Sequence, residues 1–222
     1  MKSFNEKTLV QKLDKILRKQ FGTNLSFKEF SAGYGIADLV FASDFSFSKR
    51  EANKRMPIAN FFGLKILLSL EDRKTYSQEE ILSLGNTLDY PIILKQLSFL
   101  IKNNYVEKVS KNIYKKTINK DNLNPIKKVI AIEVKLADHK NGLIQAKRYQ
   151  YFADESYLAI LKEAEKNIDI EEFNRQNIGL ILFDAKSNTI EIRHPEKGNI
   201  FEGKLNLYAK ELMLQKFLSL SF

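Results

Sequence analysis

No cysteine occurs in the 222 residues, which removes disulfides, thiol nucleophiles and cysteine-ligated zinc at once. Histidine is nearly as scarce. His139 and His194 are the whole supply, too few for a histidine metal cluster and a poor basis for an acid–base triad. No apolar run approaches the ~20 residues that span a bilayer. The opening residues Met1-Lys2-Ser3-Phe4-Asn5-Glu6 lack the basic and apolar regions of a secretory signal. No Gly-x-x-x-x-Gly-Lys loop is present, so no nucleotide-driven motor is expected. What is left is the expectation of a cytoplasmic protein with no membrane partner. Apolar residues at 44% and charged residues at 28% provide for an ordinary globular core.

Charge is plentiful and unevenly spread. The net charge is +9, and residues 45–128 hold 16 Lys or Arg against 8 Asp or Glu, a balance of +8 that leaves +1 for everything else. Positive charge gathered in one stretch is the footprint of a polyanion-binding module. A lysine-rich solvated surface is the plainer reading of the same count.

Leu9, Leu13, Ile16 and Leu17 form one stripe of a helix. Glu6, seven residues before Leu13, shares its inward side. Residues 25–30 read as a strand, Gly33-Tyr34-Gly35 as a tight turn, and 36–41 as a second strand that is apolar except at Asp38. Residues 42–56 interrupt this pattern, and a different one runs from Pro57 to Thr117. It holds a helix over 58–70, a second opened by a Ser77/Glu80 capping box and broken at Gly85-Asn86-Thr87, and a third capped by Asp89 with Pro91 in its first turn. Ile93, Leu97, Leu100 and Ile101 give the third helix its buried side, and short strands follow at 105–109 and 113–117. The flanks, near 48–56 and 120–128, read as polar and basic connections. After Pro125 comes 129–136, a nearly continuous buried strand carrying two charges. A helix through Leu143, Gln145, Tyr149 and Phe152 follows, then strands at 157–161, 178–183 and 189–193, with helices at 170–175 and 207–218. The expected fold class is α/β. Residues 1–48 and 120–222 form a discontinuous core, and 57–117 form an inserted domain.

Glu133 and Lys135 are two apart on a strand, so both project from one face. A lone carboxylate buried there is costly unless it is paired or binds a cation. Asp38, from the neighbouring hairpin, completes a candidate cation site whose hard oxygen donors suit Mg²⁺ or Mn²⁺. For any one of these residues taken singly, a structural ion pair is the plainer reading.

Taken together, Ile36-Ala37-Asp38-Leu39-Val40, Ile132-Glu133-Val134-Lys135-Leu136 and Gln145-x-x-x-Tyr149 resemble the motifs of the PD-(D/E)xK nuclease superfamily, with Ala37 where the family name has proline. The resemblance covers residues 1–41 and 129–195. It implies a restriction-endonuclease-like mixed central sheet flanked by helices, in which Asp38 and Glu133 bind one or two Mg²⁺ ions. It implies that Lys135 orients or activates the attacking water. Glu6 matches the family's first-helix acidic residue, with Asp14 as its competitor. Gln145 and Tyr149, four apart on one helical face, would position Lys135 or the substrate strand, the competing role being packing against the sheet. The 94 residues between Asp38 and Glu133 are explained by the insert, whose three helices and hairpin resemble a winged helix-turn-helix domain. That second resemblance places Lys95, Gln96 and Lys102 of the third helix, and Lys108, Lys111, Lys115 and Lys116 of the wing, against DNA. Winged helices also dock proteins. His139 follows Lys135 closely and is either a DNA contact or plain surface.

The expected activity is a Mg²⁺-dependent deoxyribonuclease that hydrolyses phosphodiester bonds. Its rival is a DNA-binding regulator or assembly protein with a nuclease-like core that is inactive, or active only inside a larger defence, repair or transposition complex. A homodimer is left open.

Overall fold

The N-terminal stripe of leucines is the first element of the computed structural model, which describes residues 5–45, 55–85, 89–119, 122–198 and 203–220. Helix α1 (Glu6–Gln20) is capped by Asn5, whose side chain accepts from the Thr8 amide, and it buries Leu9, Leu13, Asp14 and Leu17. Strands β1 (Ser26–Phe30) and β2 (Ala37–Phe45) form an antiparallel hairpin. β2 continues past the point where the apolar pattern fades, because Ala42 and Ser43 are still buried within the sheet. The chain divides into two compact units, residues 1–45 with 126–213 and residues 46–125 with 214–222.

The second unit holds α2 (Phe61–Ser69), β3 (Thr75–Ser77), α3 (Gln78–Ser83), α4 (Tyr90–Lys102), β4 (Val106–Ser110) and β5 (Ile113–Lys116). Both bonds of the Ser77/Glu80 capping box open α3. Asp89 stands at the N-cap of α4 but makes no side-chain cap bond there, and Pro91 in the first turn supplies the pre-set φ instead. The strands pair antiparallel in the order β3-β5-β4. Ile58, Leu64, Leu67, Ile81, Ile93, Leu97, Leu100 and Tyr105 are buried in this unit. Asn86 and Thr87 of the expected helix break, and residues 46–54 and 120–121 of the expected connections, lie outside the described residues. The second connection ends sooner than its composition suggests, since Lys127 and Lys128 already belong to a strand.

That strand is β6 (Ile126–Val134), followed by α5 (His139–Tyr149), β7 (Glu155–Leu161), a 3-10 turn, α6 (Ile170–Gln176), β8 (Gly179–Asp184), β9 (Thr189–Arg193) and α7 (Gly203–Leu220). The first unit is an α/β fold around a six-stranded sheet in the order β1-β2-β6-β7-β8-β9. β6, β7 and β8 run parallel, with α5 and α6 in their crossovers, and the remaining pairs are antiparallel. Strand alternation divides the core between two faces. Leu39, Phe41, Ile130, Ile132 and Val134 pack with Leu9, Leu13 and Leu17 of α1. Leu158, Ile160, Leu180 and Leu182 pack with Leu143 and Ala146 of α5 and Phe173 of α6. Asp38 and Glu133 alternate with the first set and so belong to the α5 face.

Asp14 ties α1 to β1. Its carboxylate accepts from Arg18 Nε at 3.0 Å and Ser26 Oγ at 2.6 Å, with Lys28 Nζ 3.7 Å away. Burial pushes its pKa up, but the hydrogen bonds from Arg18 and Ser26 and the charges of Arg18 and Lys28 outweigh burial and hold it below the usual value. A depressed carboxyl stabilises the fold fully above its unfolded pKa of about 3.9, and that contribution is lost as the pH falls through the folded value. Asp14→Asn should therefore lower the unfolding free energy by about 1–3 kcal/mol near neutral pH. Urea unfolding should show the gap shrinking below about pH 4.

Candidate active site

β2 and β6 pair with Leu39 opposite Ile132 and Val40 opposite Ala131, a register that one residue further on sets Asp38 across from Glu133. Like charges facing each other across two strands repel, and Glu133 is only 2% exposed. Both of its oxygens are engaged. Oε1 accepts from Lys135 Nζ at 2.6 Å, and Oε2 lies 2.5 Å from the Tyr149 hydroxyl. Asp38 Oδ2 accepts from the Val134 amide at 2.7 Å. The Tyr149 hydroxyl also lies 2.7 Å from the Ile36 carbonyl oxygen. One phenolic proton thus faces two acceptors, Glu133 Oε2 and the Ile36 carbonyl oxygen, and is shared between them.

Burial pushes the Glu133 carboxyl up and the charge of Asp38 reinforces it, against the hydrogen bonds from Lys135 and Tyr149. Burial also raises Asp38, opposed by the Val134 amide and Lys135 and reinforced by the charges of Glu6 and Glu29. Burial alone would lower Lys135, but the hydrogen bond and charge of Glu133 hold it above the usual lysine value. Tyr149 is pushed far up by burial and by Glu133, so its phenol stays protonated.

Two glycines let these elements close on one another. A Cβ at Gly142 on α5 would meet Leu158 Cδ1 at 2.5 Å and Lys135 Cγ at 3.1 Å, so a larger residue there would have to push Leu158 aside for α5 to lie this close over β6 and β7. Gly35, at φ +99°, lies against the Tyr149 ring, where a Cβ would come within 3.4 Å of Cε1.

The structure brings Asp38, Glu133, Lys135 and Tyr149 together. Gln145, one turn earlier on α5, is half-buried, and among the described residues no hydrogen bond joins it to Glu133 or Lys135. Glu6 departs from its expected inward position and is exposed, because burial along that side of α1 begins only at Leu9. It touches the site through its charge, which acts on Asp38 and Lys135. Asp14, its competitor, is engaged by Arg18 and Ser26. Glu29 escapes sequence reasoning. It is exposed on β1 between Lys28 and Phe30, which pair with Leu39 and Ala37, and its backbone is left-handed at φ +49°. A positive φ outside glycine carries no local sequence signal. His139 is half-buried at the start of α5, whereas His194 Nδ1 lies 2.8 Å from the Tyr157 hydroxyl.

Among the described residues no group of three or more His, Asp or Glu is placed to hold a metal ion. Asp38 and Glu133 are two facing oxygen donors, which suits a hard cation that binds one or two carboxylates and keeps several waters. In the second unit Lys95, Lys102, Lys108 and Lys111 are exposed, and Lys115 is half-buried with its Nζ 3.9 Å from Glu107. Two residues depart from the outward orientation expected of them. Gln96 is 8% exposed because it lies within the inward stripe of Ile93, Leu97 and Leu100 and packs on Gly63. The Lys116 side chain is 6% exposed, paired with Asp72 at 2.9 Å and donating to the Leu70 carbonyl at 3.2 Å.

With divalent cations chelated, Asp38→Asn should raise the melting temperature at neutral pH. It removes one of two facing charges, while its amide oxygen can still accept from Val134. Both carboxyls are raised, so the folded protein keeps protons that the unfolded chain has released. Stability is then highest below the ordinary carboxylate pKa of about 4 and declines as the pH rises through the raised folded values. The gain from Asp38→Asn should grow from about pH 4 to about pH 8. A calorimetric gain that is the same at both ends would leave Asp38 an ordinary surface charge.

No family model matches the chain, and no curated protein matches it.

Proposed function

We propose that the chain is a Mg²⁺- or Mn²⁺-dependent deoxyribonuclease with a PD-(D/E)xK, restriction-endonuclease-like core and an inserted winged helix that holds DNA. The observation that carries this reading is the facing pair Asp38 and Glu133, with Lys135 on Glu133 Oε1 at 2.6 Å. A buried and a half-buried carboxylate, both with raised pKa values, favour a ligand that neutralises them. Asp38 and Glu133 would hold the cation, which supplies Lewis acidity and a hydroxide at neutral pH. Lys135, two residues along the same strand face, would turn its ammonium from Glu133 towards the attacked phosphate and offset its growing charge. Tyr149 holds Glu133 and the Ile36 carbonyl in fixed relation. No side-chain nucleophile is needed.

Three helices and a three-stranded antiparallel sheet in the second unit support the winged-helix reading. Exposed Lys95 and Lys102 on α4 and Lys108 and Lys111 around the β4–β5 turn support its use on phosphates. A second reading rests on Tyr90, Ile92, Leu94 and Val109, which are large, apolar and exposed on α4 and β4. They suit a protein partner, and with it the regulator or assembly role.

Purified protein should cut linear or circular DNA with Mg²⁺ or Mn²⁺ and stop in EDTA. Asp38→Ala, Glu133→Ala and Lys135→Ala should each slow cutting by about a hundredfold or more while circular dichroism stays native. Full cutting in EDTA, or by all three variants, would sink the proposal.

For the second unit, Lys108→Ala and Lys111→Ala should each flatten the slope of log K against log salt by about one. Lys116→Ala should mainly lower the melting temperature, since it strips partners from Asp72 and Leu70. Unchanged salt slopes in the first two variants would turn the unit into a docking module.

A further inference from the structure

Beside these carboxylates lies a pair of rings that the hydrolytic chemistry does not use. Tyr34, from the turn between β1 and β2, stacks on Tyr151, just past α5, with centroids 4.4 Å apart and planes 14° from parallel. Each is 42% exposed, and Ile36, between Tyr34 and Asp38, is 62% exposed. Single exposed apolar residues are common on protein surfaces. Here, however, the backbone is shaped to present one of them. Gly33 and Gly35 flank Tyr34 at φ +107° and +99°, conformations that other residues rarely adopt.

The pair is also fixed in register with the carboxylates. Gly35 lies against the Tyr149 ring, and the Tyr149 hydroxyl contacts both Ile36 O and Glu133 Oε2. Tyr34 is four residues from Asp38, at most about 14 Å of extended chain. Lys147 and Arg148, exposed in the last turn of α5, supply positive charge on the neighbouring element.

Each ring covers one face of the other, so a further flat ring would add to the outside of the stack, and a face to add is what a paired base cannot offer in return. Within a duplex each base is covered by its neighbours, and only edges and backbone are presented. Unpaired bases stack on tyrosine whatever their sequence, while basic groups track the phosphates.

We propose that Tyr34 and Tyr151 form a stacking ledge for unpaired bases of a single DNA strand whose backbone passes Asp38 and Glu133. The preferred substrate is then single-stranded or frayed DNA rather than intact duplex. This rests on the nuclease reading for the strand's path, but the ledge itself is tested without cleavage.

Full-length protein in EDTA is titrated by fluorescence anisotropy against a labelled thymidine oligonucleotide and a strand of abasic sugars of equal length. Phosphate contacts, including those of the second unit, are the same for both probes, so the difference reports bases alone. The wild type should bind the thymidine strand about tenfold more tightly. Tyr34→Ala and Tyr151→Ala should each erase most of that preference, and Tyr34→Phe should keep it. Equal binding of the two strands by the wild type overturns the ledge, as does a preference that survives in both alanine variants. So does a Tyr34→Ala protein that sediments as monomer where the wild type is a dimer, with base preference unchanged, because the rings then join two copies of the chain. Base preference lost on substitution, in a protein that cuts nothing with Mg²⁺, upholds the ledge and removes only the hydrolytic reading.

Discussion

Glu133 must be given hydrogen-bond donors on both oxygens or lose its charge, because a carboxylate 2% exposed has little water to solvate it. Lys135, just past the end of the same strand, supplies one donor at no cost in topology. The other comes from Tyr149, and that choice constrains everything around it. α5 must lie close over β6 and β7, which Gly142 allows. The β1–β2 turn must bring its backbone to the same hydroxyl, which Gly35 and the Ile36 carbonyl accomplish. Asp38 then falls opposite Glu133 because the register of β2 on β6 leaves it no other place. The arrangement favours charge on neither carboxylate by itself. It favours whatever brings positive charge to both.

The two units differ in where several of their charged residues point. In the first, the notable charges are turned inward and paired: Asp14 with Arg18, Glu133 with Lys135, and Lys210 donating to the Lys127 carbonyl at 2.7 Å. In the second, Lys95, Lys102, Lys108 and Lys111 face solvent. Buried pairs fix geometry, while exposed lysines can exchange counterions for phosphates at little structural expense. On the proposed reading, rigid carboxylates and adaptable cations would be supplied by different parts of one chain.

What could be read from the sequence follows from the range of each interaction. Asp38, Glu133 and Lys135 stand out because charges interrupt apolar strands, a local anomaly. The capping box at Ser77 and Glu80 spans three residues and is equally local. Tyr149 is visible as a helical partner of Gln145, but its bond to Ile36 crosses 113 residues. Gly142 and Glu29 matter through contacts and a backbone angle that no spacing encodes. β3 has three residues, too few to show alternation. Gln96 shows the opposite error. Its chemistry suggests the outside of α4, yet its angular position between Ile93 and Leu100 puts it inside. With Glu6 the periodicity is right, but the helix begins a turn before its burial does.

The position of the second unit in the chain bears on the order in which the protein folds. Phe45 and Ile126 are partners in the central strand pair, so residues 46–125, 80 in all, leave and return about one strand spacing apart. Closing so long a loop while it is still unfolded costs roughly 2 kcal/mol more than closing a hairpin-length turn. That penalty falls on the step that first sets Asp38 against Glu133. A second unit that has already collapsed shortens the effective loop, so the chain reaches its central pairing faster by folding the insert first. Substitutions in the small core of Ile58, Leu64, Ile93 and Leu97 thereby act on the rate at which the distant carboxylates meet.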